Sequence, residues 1–520
     1  SQAATRVPWI NYLGKNNMIK NNDTDTRAIV DSRRAGEGKT RDAARTARYQ
    51  HGINLSIYGR IKHLVDIGRA DKHWHNRKVI VALPSKLIIQ QYHEDLIDYY
   101  YNEMNLPKSL LRILAIDSDH TKSDSVQYDL HQALNDQADI ILITHQTFMD
   151  LQSMTSQRQQ YDLIVDEAVY PFREITLYQT SQSNIDFRWR ENGGIAFDTD
   201  AVTWPRIDFK GLKEHSFDDS ETLRNLMNSN WVNRVDYLTW NKFTQEDGNK
   251  KITVIQELRP DVFWHWRSVW IACADFENTF MADWMQHHNQ PYKIHPRLEF
   301  EAHTTPLRIY GTNNVNLSRN LRDKNPNLLA EYQQAVKQTL NNEPVLVLRN
   351  TNQPQLFQNE VKLPHNSAGL NDYRQYRNIS LESSLNADPV FADFLKEIYP
   401  EQYGDDPHLR IFKRRTLYTY YQTLMRSCIR EDQEANVFCL DSRTVNGLLQ
   451  YFDCVHWEEW PDFAIQQPKA AHRPLKTQLG RAMTSAERKW LSKNRNKPAF
   501  VGMTDDELLG IYNSRKNTSG

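Results

Sequence analysis

Short apolar runs recur along the first 300 residues, each bounded by charge: 28–30, 79–83, 113–116, 140–143 and 163–165, with 269–272 resuming the pattern. Runs this short, separated by helical or polar stretches, predict strands buried on both faces, as in a parallel sheet. Residues 43–68 have helical character, with Leu55, Ile61, Leu64 and Val65 as apolar contacts. A doubly wound α/β domain follows. A second α/β pattern begins near residue 300, with helices over 328–340 and 417–430 and strands over 345–348, 379–381 and 437–440. The division is then 1–299, 300–464 and a polar, basic appendage over 465–520, with short helices predicted at 485–492 and 505–512.

One stretch fits the sheet poorly. Residues from about 175 to 265 are rich in Asp, Asn, Arg and tryptophan (Trp189, Trp204, Trp231, Trp240, Trp264 and the adjoining Trp266) and read as an insertion in the first domain. Arg188-Trp189-Arg190 could stack on and neutralise a single nucleic-acid strand. Equally, the tryptophans could form the core of a small subdomain.

The chemistry sits at the ends of two of these runs. After Ala28-Ile29-Val30 come Arg33-Arg34, then Gly36-Glu37-Gly38-Lys39-Thr40, then the helical stretch. Strand, glycine loop and helix N-terminus together cradle phosphates with backbone N–H groups. Lys39 would reach the β- and γ-phosphates of ATP, and the Thr40 hydroxyl would hold Mg²⁺. The run at 163–165 ends in Asp166-Glu167-Ala168-Val169. Carboxylates at the C-terminal end of a parallel strand lie where such sheets bind ligands. Asp166 would hold Mg²⁺ and Glu167 would polarise the attacking water.

Composition narrows the field. Lys and Arg number 64 against 65 Asp and Glu, a formal net charge of -1, so any basic track for nucleic acid must be local. No apolar run approaches the roughly 18 residues of a membrane span. The four cysteines, Cys273, Cys428, Cys439 and Cys454, form no CxxC pair, which argues against a zinc site or a cysteine-ligated iron–sulfur cluster. A soluble, cytoplasmic protein with reduced thiols is the expectation.

Taken in order, the motifs resemble those of superfamily 2 helicases. Residues 33–40 stand as motif I and Asp166-Glu167-Ala168-Val169 as motif II, a relative of the DEAH box. Leu83-Pro84-Ser85-Lys86 is similar to motif Ia and Ile143-Thr144-His145-Gln146 to Ib. Ala272-Cys273-Ala274 stands where the family has Ser-Ala-Thr, without either hydroxyl. Residues 346–350 resemble motif IV, Ser367-Ala368-Gly369-Leu370-Asn371-Asp372 motif V, and residues 422–430 motif VI. In motif VI, Gln422, Arg426 and Arg430 fall at i, i+4 and i+8, one face of a helix. Met425 replaces the usual glycine, and Arg430 comes one residue later than is usual.

The resemblance implies two tandem RecA-like domains and an ATP-dependent DNA helicase or translocase requiring Mg²⁺, of the replication type found in mobile genomes. Arg34, Gly36, Glu37, Gly38, Lys39 and Thr40 would bind nucleotide. Lys39, Asp166, Glu167, Gln422, Arg426 and Arg430 would serve hydrolysis, with Thr40 and Asp166 on the metal. Pro84, Ser85, Lys86, Thr144, His145, Arg349, Gly369 and Asn371 would touch the strand. The partner would be single-stranded or forked DNA, RNA being less favoured, with a replication protein a candidate for the C-terminal appendage. Two alternatives stand beside it: a packaging ATPase of the terminase type, and a non-catalytic loading factor.

Overall fold

The structure is a computed structural model, and it describes residues 28–31, 57–70, 78–121, 123, 125–151, 155–178, 196–198, 203–209, 220–243, 251–294, 300–341, 343–350, 358–363, 373–383, 385, 388–465, 490 and 508–509. Two compact units divide the chain. One comprises Ser1–Ser318 and Leu329–Phe463, the other Arg319–Leu328 and Ala464–Gly520. In the smaller unit the described residues include the helix Arg319–Lys324 and an apolar contact of Trp490 with Leu508 and Leu509. The rest of the helices expected at 485–492 and 505–512 lies outside the described residues.

The larger unit opens with β1 (Ala28–Asp31), β2 (Lys78–Leu83), β3 (Ile113–Ile116), β4 (Ile140–Thr144) and β5 (Tyr161–Asp166). The chain then builds a separate antiparallel sheet from β6 (Phe172–Tyr178), β7 (Ala196–Asp198), β8 (Arg206–Asp208), β9 (Trp231–Arg234) and β10 (Lys251–Leu258). It returns as β11 (Ser268–Ala272) and β12 (Tyr292–Ile294), completing a seven-stranded parallel sheet in the order β12-β1-β11-β5-β2-β4-β3. Strands β2 and β5 are buried at all their positions, as a sheet covered on both faces requires.

A second parallel sheet follows: β13 (Leu307–Gly311), β14 (Val345–Leu348), β15 (Glu360–Lys362), β16 (Asn378–Leu381), β17 (Ala435–Cys439) and β18 (Val455–Glu459). Its order is β15-β14-β16-β17-β13-β18. The α/β architecture with two parallel sheets is therefore the one the apolar runs predict.

Helices Ile57–Ala70 and Lys86–Ile97 fill one side of the first sheet with Ile57, Ile61, Leu64, Ile89, Tyr92 and Leu96. Its other side is covered from an unexpected source. Phe391, Phe394, Leu395 and Ile398 of the helix Pro389–Ile398, with Tyr399, Tyr403 and Ile411, join the first core beside Phe172, Trp204 and Phe280. From Pro407 the chain stays helical through Ile411, a π-helical stretch Phe412–Leu417 and the helix Tyr418–Leu424. Ile411 belongs to the first core, while Phe412, Leu417, Tyr420, Tyr421 and Leu424 belong to the core of the second sheet. One helical run thus passes from one core into the other.

The helix expected over 417–430 stops at Leu424. The Ser427 hydroxyl donates to the Leu424 carbonyl at 2.6 Å and accepts from the Ile429 N–H, starting a separate 3₁₀ turn at Cys428–Glu431. A serine side chain competing for backbone groups in this way ends regular helix. Among the tryptophans of the inserted stretch, Trp204, Trp231, Trp240 and Trp266 are buried, so for these the core alternative holds. Trp189 and its flanking arginines lie outside the described residues.

Candidate active site

Three strand ends are in register at one edge of the first sheet. Asp31 of β1 pairs with Ala272 of β11, which pairs with Asp166 of β5. Adjacent strands lie about 4.8 Å apart, so the chain leaves β1 roughly 10 Å from Asp166. The loop that begins there carries Arg34, Gly36, Glu37, Gly38, Lys39 and Thr40, all outside the described residues.

Just past Asp166 the backbone turns sharply. Glu167 has φ 68, the left-handed region that costs a non-glycine residue about 1–3 kcal/mol and clusters at functional sites. Its N–H donates to the Ala272 carbonyl at 2.8 Å, which fixes the turn. The His145 ring takes the other side: Nε2 lies 2.7 Å from the Asp166 carbonyl oxygen. Burial pushes the His145 pKa down to about 4, outweighing its backbone hydrogen bonds, so the ring is neutral at pH 7 and donates one N–H.

The side chain of Glu167 is met from the other half of the chain. The Tyr418 hydroxyl donates to Oε2 at 3.0 Å, and Gln422 Nε2 is 3.5 Å from the same oxygen. Gln422 Nε2 also donates to the Tyr418 hydroxyl at 3.0 Å. Burial drives the Tyr418 phenol well above its ordinary pKa, so it keeps the proton it donates. Arg426, 9% exposed, lies in the turn just past the end of the helix Tyr418–Leu424. Burial lowers its pKa, opposed by the nearby charges of Glu167 and Asp166. Its Nε is buried with no hydrogen-bond partner among the described residues. An orphaned guanidinium nitrogen beside two carboxylates is the environment that a bound polyphosphate and its cation would complete.

A clamp keeps that helical run against the first sheet. Arg414 grips Asp283 through a fork, Nε to Oδ2 and Nη2 to Oδ1, both 2.9 Å, and reaches Asn278 Oδ1 at 2.6 Å. Tyr403 donates to the same carboxylate at 2.6 Å and Arg410 at 3.2 Å. Next door, Arg415 binds Glu174 at 3.2 Å and the Tyr170 hydroxyl. Asp283, Asn278, Tyr170 and Glu174 all precede residue 300, so these contacts tie the two halves together.

The structure brings Asp166, Glu167, Gln422 and Arg426 together, and Arg430 lies half-buried in the separate 3₁₀ turn Cys428–Glu431. The helix face expected to carry Gln422, Arg426 and Arg430 is thus corrected: the helix ends at Leu424, so of the three it carries Gln422, with Arg426 in the turn just beyond. Pro84, Ser85 and Lys86 follow β2, Thr144 closes β4 and His145 opens the helix His145–Met149; Leu83 pairs with Thr144, so these residues share the edge that carries Asp166. Ser85 and Thr144 cap the helices that follow them, and Lys86 pairs with Asp119 at 2.7 Å on the exposed surface. Arg349 requires correction as a strand contact. It is 1% exposed, with its guanidinium divided between Glu382 (Nε–Oε2, 2.9 Å) and Glu360 (3.1 Å). A residue closed between two buried carboxylates is structural. Gly369 and Asn371 lie outside the described residues.

Sequence patterns did not single out Tyr418. Its hydroxyl also lies 3.2 Å from the Cys273 thiol at the end of β11.

No family model matches the chain, and no curated protein matches it in sequence. Among solved structures, it is similar to an XPD helicase at 11% identity and a TM-score of 0.43, covering 86% of this chain and 97% of that one. It is also similar to Xpd4 of S. tokodaii at 12% identity and a TM-score of 0.42, covering 87% of this chain and 100% of that one. A third is a DUF1998 helicase, MrfA, bound to DNA and AMPPNP, at 8% identity and a TM-score of 0.35, covering 82% of this chain and 48% of that one.

Proposed function

We propose that the chain is an ATP-dependent DNA helicase or translocase that couples hydrolysis to movement along single-stranded DNA, in the replication of a mobile genome. The observation that carries this reading is the arrangement around Glu167. A carboxylate pair at the end of a parallel strand is met by Tyr418, Gln422 and Arg426, all from the half that carries the second sheet. A site assembled from two halves reports their relative position, which is what a motor requires.

Lys39 and the backbone of the 36–40 loop would hold the phosphates, and Thr40 with Asp166 would hold Mg²⁺. Mg²⁺ would neutralise charge on the β- and γ-phosphates. Glu167 would orient and deprotonate the attacking water, and Arg426 would meet the charge that develops on the γ-phosphate. The strand would run over the edge formed by Ser85, Lys86 and Thr144, held by phosphate contacts independent of sequence. Among the described residues no helix is long and apolar enough to cross a membrane.

ATP turnover measured with and without a single-stranded oligonucleotide tests the reading. Stimulated turnover in the wild type, lost in Glu167→Gln with ATP still bound, is the expected result. Absence of turnover in the wild type would reject a motor and favour a binding factor.

A further inference from the structure

We propose that Tyr418 is the positioning residue for Glu167, holding the carboxylate in its working orientation only while the two halves are engaged. The inference rests on the hydrolytic role just assigned to Glu167.

The hydrogen bonds around the phenol run in one direction toward Glu167. The Tyr418 hydroxyl donates to Glu167 Oε2 at 3.0 Å. Gln422 Nε2 can only donate, and it takes one phenol lone pair at 3.0 Å. The Cys273 thiol touches the same hydroxyl at 3.2 Å and lies 3.4 Å from the Ala274 carbonyl oxygen. Three elements converge on this hydroxyl: the turn after β5, the end of β11 and the helix Tyr418–Leu424.

Both cross-half contacts to Glu167 fall on Oε2. A carboxylate pinned through one oxygen presents the other in a fixed direction. The Glu167 backbone is already fixed by its left-handed turn and its bond to Ala272. What stays adjustable is the side chain, and its restraint comes from Tyr418 and Gln422. Withdrawal of their helix would release the carboxylate, and the remaining freedom lies in rotations about its own side-chain bonds. Misplacing a catalytic group by about 1 Å costs about 10²-fold in rate.

The test uses the full chain and the Tyr418→Phe variant, which keeps the ring and removes only the hydroxyl. Measured are kcat and KM for ATP with and without a single-stranded oligonucleotide, affinity for that oligonucleotide, and the melting temperature. The expected result is a fall of about 10²-fold in DNA-stimulated kcat, with KM, oligonucleotide affinity and melting temperature retained. Adding Tyr418→Phe to Glu167→Gln should cost nothing further in single-turnover rate, because the first acts through the second. Wild-type kcat in Tyr418→Phe while Glu167→Gln is dead overturns the proposal and leaves the function standing. Joint loss of melting temperature and of both kinetic parameters overturns it in favour of a packing role. A wild type without turnover removes the function and this proposal together.

Discussion

The hydroxyl of Tyr418 lies 3.0 Å from Oε2 of Glu167, across 251 positions of sequence. Everything that holds the helix of Tyr418 against the first sheet therefore bears on the chemistry at Glu167, and the consequences can be measured residue by residue.

Lys39→Ala should abolish ATP hydrolysis and leave the melting temperature unchanged, because Lys39 is assigned to phosphate and not to a core. Steady-state turnover and thermal melting of the purified variant check this. Wild-type turnover would move the nucleotide site elsewhere.

Arg426→Ala should lower DNA-stimulated kcat by about 10³–10⁵-fold while ATP and DNA affinities stay near normal, as for loss of a residue that meets the γ-phosphate in the transition state. Arg430→Ala, on its separate turn, should keep stimulated turnover. Equal loss in both variants would place Arg430 beside Arg426 at the γ-phosphate despite its separate turn.

Arg414→Ala should destabilise the fold by about 3–5 kcal/mol, because it leaves the buried Asp283 carboxylate without its fork. Chemical denaturation reads this directly. A change below about 1 kcal/mol would show that Arg410 and Tyr403 suffice to satisfy Asp283.

Arg349→Ala should likewise cost about 3–5 kcal/mol in stability, with unchanged affinity of the folded protein for single-stranded DNA. Filter binding at a temperature well below the transition separates the two effects. Weakened DNA binding at full stability would return Arg349 to the nucleic-acid path.

Acid stability should depend on Glu257. Burial alone would raise its pKa, but His288 at 2.7 Å, with Tyr399 and Arg234, holds it down at about 2, below the ordinary 4.5. A folded-state pKa below the unfolded one contributes stability that is complete above about pH 4.5 and lost as the pH falls toward about 2. Melting curves of Glu257→Gln between pH 2 and 7 should be flatter across that window than those of the wild type. Parallel curves would assign the acid limb to other carboxylates.

What the sequence made legible follows from burial. Strands β2, β4, β5, β11 and β14 each hold an apolar run because both faces are covered, and such runs stand out. Strands β12, β15 and β18 mix charge with apolar residues at sheet edges and carry no such mark. In the candidate site, the chemistry of Asp166, Glu167, Gln422 and Arg426 singled them out in the sequence, and the structure brings them together. Tyr418 was not singled out, since a tyrosine beside Tyr420 and Tyr421 reads as core until Glu167 and Cys273 are placed next to it. Arg349 misled for a related reason: nothing nearby in sequence announces Glu382, 33 residues on, as its partner.

The aromatic ring cluster that closes the first core has a bearing on how the protein is made. Phe391, Phe394, Tyr399 and Ile411 pack beside Phe172 and Phe280, so the leading part of the chain emerges with that apolar surface still uncovered. A ribosome adding 5–20 residues per second needs roughly 6–22 s to go from residue 299 to residue 411. For that interval the nascent first sheet displays a hydrophobic face, an opening for holdase chaperones and for aggregation alike. A gene cut at residue 300 would make the exposure permanent.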